Sequence, residues 1–127
     1  MSEKKFFVCQ HCGNTVVMIK DAGVPMVCCG DNMTELKANT VDASVEKHIP
    51  VVKVDGNVVT AVVGSVEHPM VEEHFIEWIY LETSEGGQLK YLKPGQKPEL
   101  QFALTANESA KAAYAFCNLH GLWKAEI

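Results

Sequence analysis

The chain has 127 residues, 47 % of them hydrophobic, and a formal net charge of −5. This suits one ordinary globular domain, or one with a small metal-stapled appendage, and it is not the composition of a disordered chain. An acidic balance with no basic stripe argues against a nucleic-acid binder, and the longest near-continuous apolar run, residues 58–66, falls far short of the ~18 residues a membrane-spanning helix needs.

In chain order, Met1 to Lys5 carries two lysines and no apolar stretch of signal-peptide length, so a cytoplasmic, reducing compartment is expected. Thiols there are more often metal ligands than disulfides. Residues 1–37 hold Cys9, Cys12, Cys28 and Cys29 with few large apolar side chains, and a segment this short usually folds around a metal or disulfides. Cys9-Gln10-His11-Cys12 has the spacing of a metal knuckle. Its partner pair, Cys28-Cys29, is adjacent where a zinc ribbon would have two intervening residues, so the predicted tetrahedron is distorted. Four thiolates suit iron and zinc alike. The alternatives are a vicinal disulfide or unligated thiols, and His11 reads as a surface residue because four sulfurs already complete a set.

A linker is placed near residues 37–42, and a second domain over residues 42–127. Val51 to Val54, Asp55-Gly56 and Asn57 to Val63 predict a hairpin whose Asp-Gly pair suits a type I′ turn. Ile76 to Leu81 alternates only partly and ends at the turn Ser84-Glu85-Gly86-Gly87. Leu89 to Leu92, Glu99 to Leu104 and Leu122 to Ile127 complete a series of short strands that suggests an antiparallel sandwich. Asn107 to Tyr114 conflicts with that pattern, since a capping residue and several alanines favour helix there.

Four of the five histidines and the fifth cysteine fall in three clusters. These are Glu46-Lys47-His48, His68-Pro69-Met70-Val71-Glu72-Glu73-His74 and Cys117-Asn118-Leu119-His120-Gly121. Four imidazoles and one thiolate exceed a tetrahedral structural zinc site and have too little sulfur for a cluster, but they suit one redox-active iron with a position left open. Such a set leaves Fe(II) with a net charge of about +1, which draws an anion to the open position. Glu46 and Lys47 read by composition as a solvated loop. Their adjacency to His48 gives them a second reading, in which the lysine raises the local anion concentration and orients a proton-donating water.

With these motifs in hand, the sequence closely resembles the desulfoferrodoxins, the two-iron superoxide reductases. The resemblance covers nearly the whole chain: Cys9-x-x-Cys12 with Cys28-Cys29, Glu46-Lys47-His48-Ile49-Pro50, His68-Pro69-Met70 with His74, and Cys117-Asn118-Leu119-His120-Gly121-Leu122-Trp123. It implies a mainly β protein in which a desulforedoxin-like module binding an Fe(Cys)4 centre precedes an immunoglobulin-like antiparallel β-sandwich carrying an Fe(His)4(Cys) centre. In that frame the segment from Ala110 to Phe116 should be a strand, against its propensity. Carried over by position, His48, His68, His74 and His120 would be equatorial ligands and Cys117 axial. Lys47 would attract and help protonate superoxide, and Glu46 would ligate the ferric resting iron. The implied reaction is one-electron reduction of superoxide to hydrogen peroxide, with a rubredoxin-like donor restoring Fe(II), in a homodimer. Three other classes stay open at this point: an electron carrier with an incidental open site, a zinc-stabilised interaction module, and a superoxide dismutase.

Overall fold

The computed structural model describes residues 4–127 and divides the chain into two compact units, Met1–Lys37 and Ala38–Ile127. In the first unit, β1 (Phe6–Val8), β2 (Thr15–Val17) and β5 (Thr34–Leu36) form an antiparallel sheet in the order β2-β1-β5, and β3 (Val27–Cys28) pairs with β4 (Asp31–Asn32). Among the described residues only one helix occurs, the single turn α1 (Val45–His48), and none is long and apolar enough to cross a membrane.

The second unit is built from seven antiparallel strands. They are β6 (Pro50–Asp55), β7 (Val58–Val63), β8 (Ile76–Thr83), β9 (Gly86–Tyr91), β10 (Glu99–Ala103), β11 (Ala110–Cys117) and β12 (Gly121–Glu126). They form a three-stranded sheet, β10-β7-β6, and a four-stranded sheet, β12-β11-β8-β9. Alternate side chains fill the space between the layers: Val59, Ala61 and Val63 from β7, Phe102 from β10, Ile76, Ile79 and Leu81 from β8, and Ala113, Ala115 and Cys117 from β11. This is the sandwich that the strand spacing predicts.

Two local readings change and a third is explained. The first hairpin forms, but Asp55 pairs with Val58, so its two-residue loop is Gly56-Asn57. Only the first of these has a positive φ, +62° at Gly56, the pattern of a type II′ turn rather than type I′. The alanine-rich segment is a strand throughout, because β11 is central and its backbone is bonded to β8 on one side and β12 on the other. Its alanines lie beside large partners, Ala115 between Ile79 and Trp123, so the helix propensity of small residues is spent on making room. The broken alternation of Ile76 to Leu81 is a β-bulge: Phe116 pairs with Trp78 and Cys117 with Ile76, leaving Glu77 without a partner on β11. The bulge lets both Ile76 and Ile79 face the core, while Trp78 stacks on Phe116 on the opposite face, centroids 5.5 Å apart. It also brings the end of β11, and with it Cys117, to the rim where the histidines gather.

Candidate metal centres

Two groups of ligand side chains form, one in each unit. In the first, the Sγ atoms of Cys9, Cys12, Cys28 and Cys29 all lie within 4.8 Å of one another. The Cys9-Gln10-His11-Cys12 turn is closed by Gly13 N–H donating to the Cys9 carbonyl at 2.9 Å and Cys9 N–H donating to Asn14 at 2.8 Å. The adjacent pair converges for a reason that the spacing does not display. Cys29 and Gly30 are the two central residues of the β3–β4 hairpin, with φ of +53° and +79°. A type I′ turn demands both positive angles, and it swings Cys29 Sγ to 4.0 Å from Cys28 Sγ, too far for a disulfide. All five cysteines are free thiols.

A tetrahedral ion with metal–sulfur bonds of about 2.3 Å requires sulfurs about 3.8 Å apart. Cys12–Cys28 and Cys28–Cys29 are 3.6 and 4.0 Å apart, so the set fits such an ion with some distortion. The thiols cannot all ionise side by side without a cation. Backbone N–H groups, Cys12 first, bring Cys9 down to about 6, whereas Cys29, hydrogen-bonded by Cys12, Cys9 and Cys28, is pushed up to about 12. His11 stays outside the set, exposed and paired through Nε2 with Asp31 at 2.5 Å.

The second group draws on four separate segments. His48 is the last residue of α1, His68 and His74 lie between β7 and β8, Cys117 ends β11, and His120 sits in the β11–β12 hairpin. Ligand atoms of His48, His74, Cys117 and His120 all lie within 4.8 Å of one another. His68 joins them through Nε2, 3.2 Å from His48 Nε2, while His120 Nδ1 is 3.1 Å from that same atom.

The four rings form a closed square. Neighbouring centroids are 4.7 Å apart for His48–His68, 4.6 Å for His68–His74, 5.1 Å for His74–His120 and 4.9 Å for His48–His120, each pair near perpendicular. His48 and His74 face each other across it at 6.4 Å. Metal–nitrogen bonds of about 2.1 Å set the edge of a square plane at about 3.0 Å, and the two observed edges, 3.1 and 3.2 Å, are close to it.

Protonation supports the same conclusion. His48 Nδ1–H donates to the Ser44 carbonyl at 2.6 Å and His68 Nδ1–H to the Pro69 carbonyl at 2.7 Å. Burial lowers the pKa of both rings, His68 to about 4, so both are neutral near pH 7 and their Nε2 lone pairs face each other. His74 Nε2 is buried with no partner. Two lone pairs facing each other without a proton between them, beside a buried ring nitrogen with no partner, fit a cation.

Cys117 is fully buried and belongs to the sandwich core. Burial raises its pKa, opposed by the backbone N–H groups of Leu119 and His120, so a cation is what would turn it into a thiolate. Glu46 and Lys47 are exposed beside His48. The lysine charge helps lower the pKa of both His48 and His74. Glu46, hydrogen-bonded to its own backbone N–H, has a carboxyl held below its ordinary range.

The structure therefore brings together every candidate ligand residue that the sequence suggested, and adds supports to which the sequence gave no role. Trp123 stacks on His48 with centroids 4.8 Å apart and donates Nε1–H to the His120 carbonyl at 3.0 Å. Gly64 lies so close to α1 that a Cβ there would be 2.7 Å from the Glu46 carbonyl oxygen. An indole three residues past a candidate ligand was visible in the sequence, whereas the Gly64 contact spans 18 residues of chain.

The desulfoferrodoxin family model matches residues 40–126. Desulfoferrodoxin of Nitratidesulfovibrio vulgaris is 43 % identical over 125 residues, covering 98 % of each chain, and that of Clostridium acetobutylicum is 40 % identical over 126 residues, covering 99 % of this chain and 98 % of its own. Among solved structures, the superoxide reductase of Treponema pallidum superposes with a TM-score of 0.84 at 44 % identity, covering 98 % of this chain and 100 % of that one. The one-iron superoxide reductase of Giardia intestinalis covers 65 % of this chain and 97 % of its own, with a TM-score of 0.56 and 36 % identity.

Proposed function

This chain belongs to the desulfoferrodoxin family, and we infer that it is a superoxide reductase carrying two irons, one on the four cysteines and one on the square of histidines with Cys117. The observation that carries this reading is the set of neutral imidazoles with facing lone pairs over a buried core thiol. Five ligands of that mix leave one coordination position for a small molecule.

The two units divide the work. Residues 1–37 are the desulforedoxin-like module, folded around Cys9, Cys12, Cys28 and Cys29, and residues 42–127 are the reductase domain. In the latter, His48, His68, His74, His120 and Cys117 would hold the second iron. A ferrous ion bound there would supply the one electron that, with two protons, turns superoxide into hydrogen peroxide with no dioxygen formed. The protein provides the rest. Its core excludes water from the sulfur side, so the anion approaches from the exposed side, where Lys47 lies. The Lys47 ammonium steers the anion inward and orients a proton-donating water. Glu46 offers a carboxylate to the oxidised site once substrate has left. A rubredoxin-like donor in a cytoplasmic, reducing compartment returns the electron, and the working form is a homodimer.

The experiment is metal analysis and visible spectroscopy of the purified protein before and after oxidation, followed by superoxide pulses under a reductant. Two irons per chain, two distinct thiolate-to-iron absorptions and peroxide without dioxygen are expected. A colourless zinc protein would leave only an interaction module. Turnover without reductant, releasing dioxygen, would make it a dismutase.

A further inference from the structure

Metal-ligating histidines are normally oriented by a partner on the ring nitrogen away from the metal, and two of the four here have one. His48 and His68 rest Nδ1 on carbonyl oxygens, and the His120 carbonyl is held by Trp123. His74 has neither support, because among the described residues its ring has no hydrogen-bond partner and no side chain holds its carbonyl. Its own backbone is fixed only by a bridge to Val71, through bonds of 3.0 and 3.1 Å. The peptides on either side of it, however, are both held by Asn118.

Asn118 Oδ1 accepts the Phe75 N–H at 3.0 Å, and Nδ2 donates to the Glu73 carbonyl at 3.0 Å. Its backbone N–H donates to the Phe75 carbonyl at 3.2 Å. These bonds bracket His74, and they come from the residue that directly follows Cys117. The geometry asks for an amide, since one planar group must both accept and donate across a fixed span.

We propose that Asn118 is a positioning residue of the histidine centre: by binding the peptides before and after His74 it couples that residue to Cys117, so that the imidazole and the thiol keep one mutual geometry. The proposal rests on the assignment of His74 and Cys117 to one ion. Removing the amide loosens the peptides on either side of His74 without touching a ligand, leaving the residue to its bridge with Val71 and its ring to packing against His68 and His120.

The test compares Asn118→Ala and Asn118→Asp with the parent as iron-loaded full chains. Iron release to a chelator, the visible and paramagnetic spectra, and the melting temperature are measured. Asn118→Ala should lose iron from the histidine centre about tenfold faster or more, with a changed ferric spectrum there and an unchanged cysteine centre. Asn118→Asp keeps the acceptor for Phe75 and loses the donor for Glu73, so it should fall between; it decides the matter alone if the alanine variant does not fold. Parental release rates and spectra in a folded variant, with or without a lower melting temperature, would overturn the proposal. A parent that binds iron only at its cysteines would instead refute the histidine site itself, and this proposal with it.

Discussion

Gly64→Ala is the sharpest probe of how the sandwich presents its active loop. A Cβ at this position would sit 2.7 Å from the Glu46 carbonyl oxygen, 2.9 Å from that of Ile49 and 3.0 Å from the Lys47 carbonyl carbon. All three are backbone atoms, so no side chain can swing aside, and contact near 3.5 Å requires a displacement of about 0.8 Å at the closest of them. Overpacking of this kind costs about 1–3 kcal/mol. Moving Glu46 away also weakens the Val66 N–H bond to its carbonyl, 2.9 Å long, which adds about 1 kcal/mol. A loss of about 2–4 kcal/mol in a unit of this size lowers its melting temperature by about 10 °C or more. Because the displaced turn carries Lys47 and ends at His48, reaction with superoxide should slow by up to about 10²-fold, the cost of a misplacement approaching 1 Å. Thermal melting followed by circular dichroism and pulse radiolysis measure the two effects. Ser65→Ala, which removes only a 3.2 Å bond to the same carbonyl, should cost less than about 1 kcal/mol. A Gly64→Ala protein that melts within about 2 °C of the parent and reacts at its rate would show that α1 is not held as described.

Cys12→Ser should remove the iron of the cysteine centre and weaken residues 1–37, with superoxide reduction retained; loss of the fast reaction while the histidine centre keeps its iron would contradict that independence. Lys47→Ala should slow superoxide binding and flatten its dependence on ionic strength, and an unchanged rate at low salt would remove the lysine from the mechanism. Glu46→Ala should alter the spectrum of the oxidised protein and leave the first reaction of the reduced protein nearly untouched, a contrast read by absorption and pulse radiolysis on one sample. Cys117→Ser should abolish the sulfur-to-iron absorption of the histidine centre and sharply reduce activity. Its persistence in an iron-loaded variant would place the sulfur elsewhere.

The candidate ligand residues were legible in the sequence because chemistry imposes their types. Four cysteines in a short segment poor in apolar residues, and four histidines with one cysteine in three clusters, restrict the metals each set can hold before any coordinates exist. Strand positions were legible for a similar local reason, since β-branched runs between turn residues recur along residues 42–127. What the chain did not display depends on contacts between residues far apart. Ala110–Cys117 has helical propensity, and only its two hydrogen-bonded neighbours make it a strand. Asp55-Gly56 announces a hairpin, but pairing of Asp55 with Val58 moves the loop by one residue. The bulge at Glu77, the proximity of Gly64 to the Glu46 carbonyl and the grip of Asn118 around His74 each join segments distant in sequence. Local sequence determines which atoms can bind a metal. Where those atoms point is decided by the packing of two sheets, because the orientation of an imidazole or a thiol follows from backbone positions that only long-range hydrogen bonds and close contacts fix.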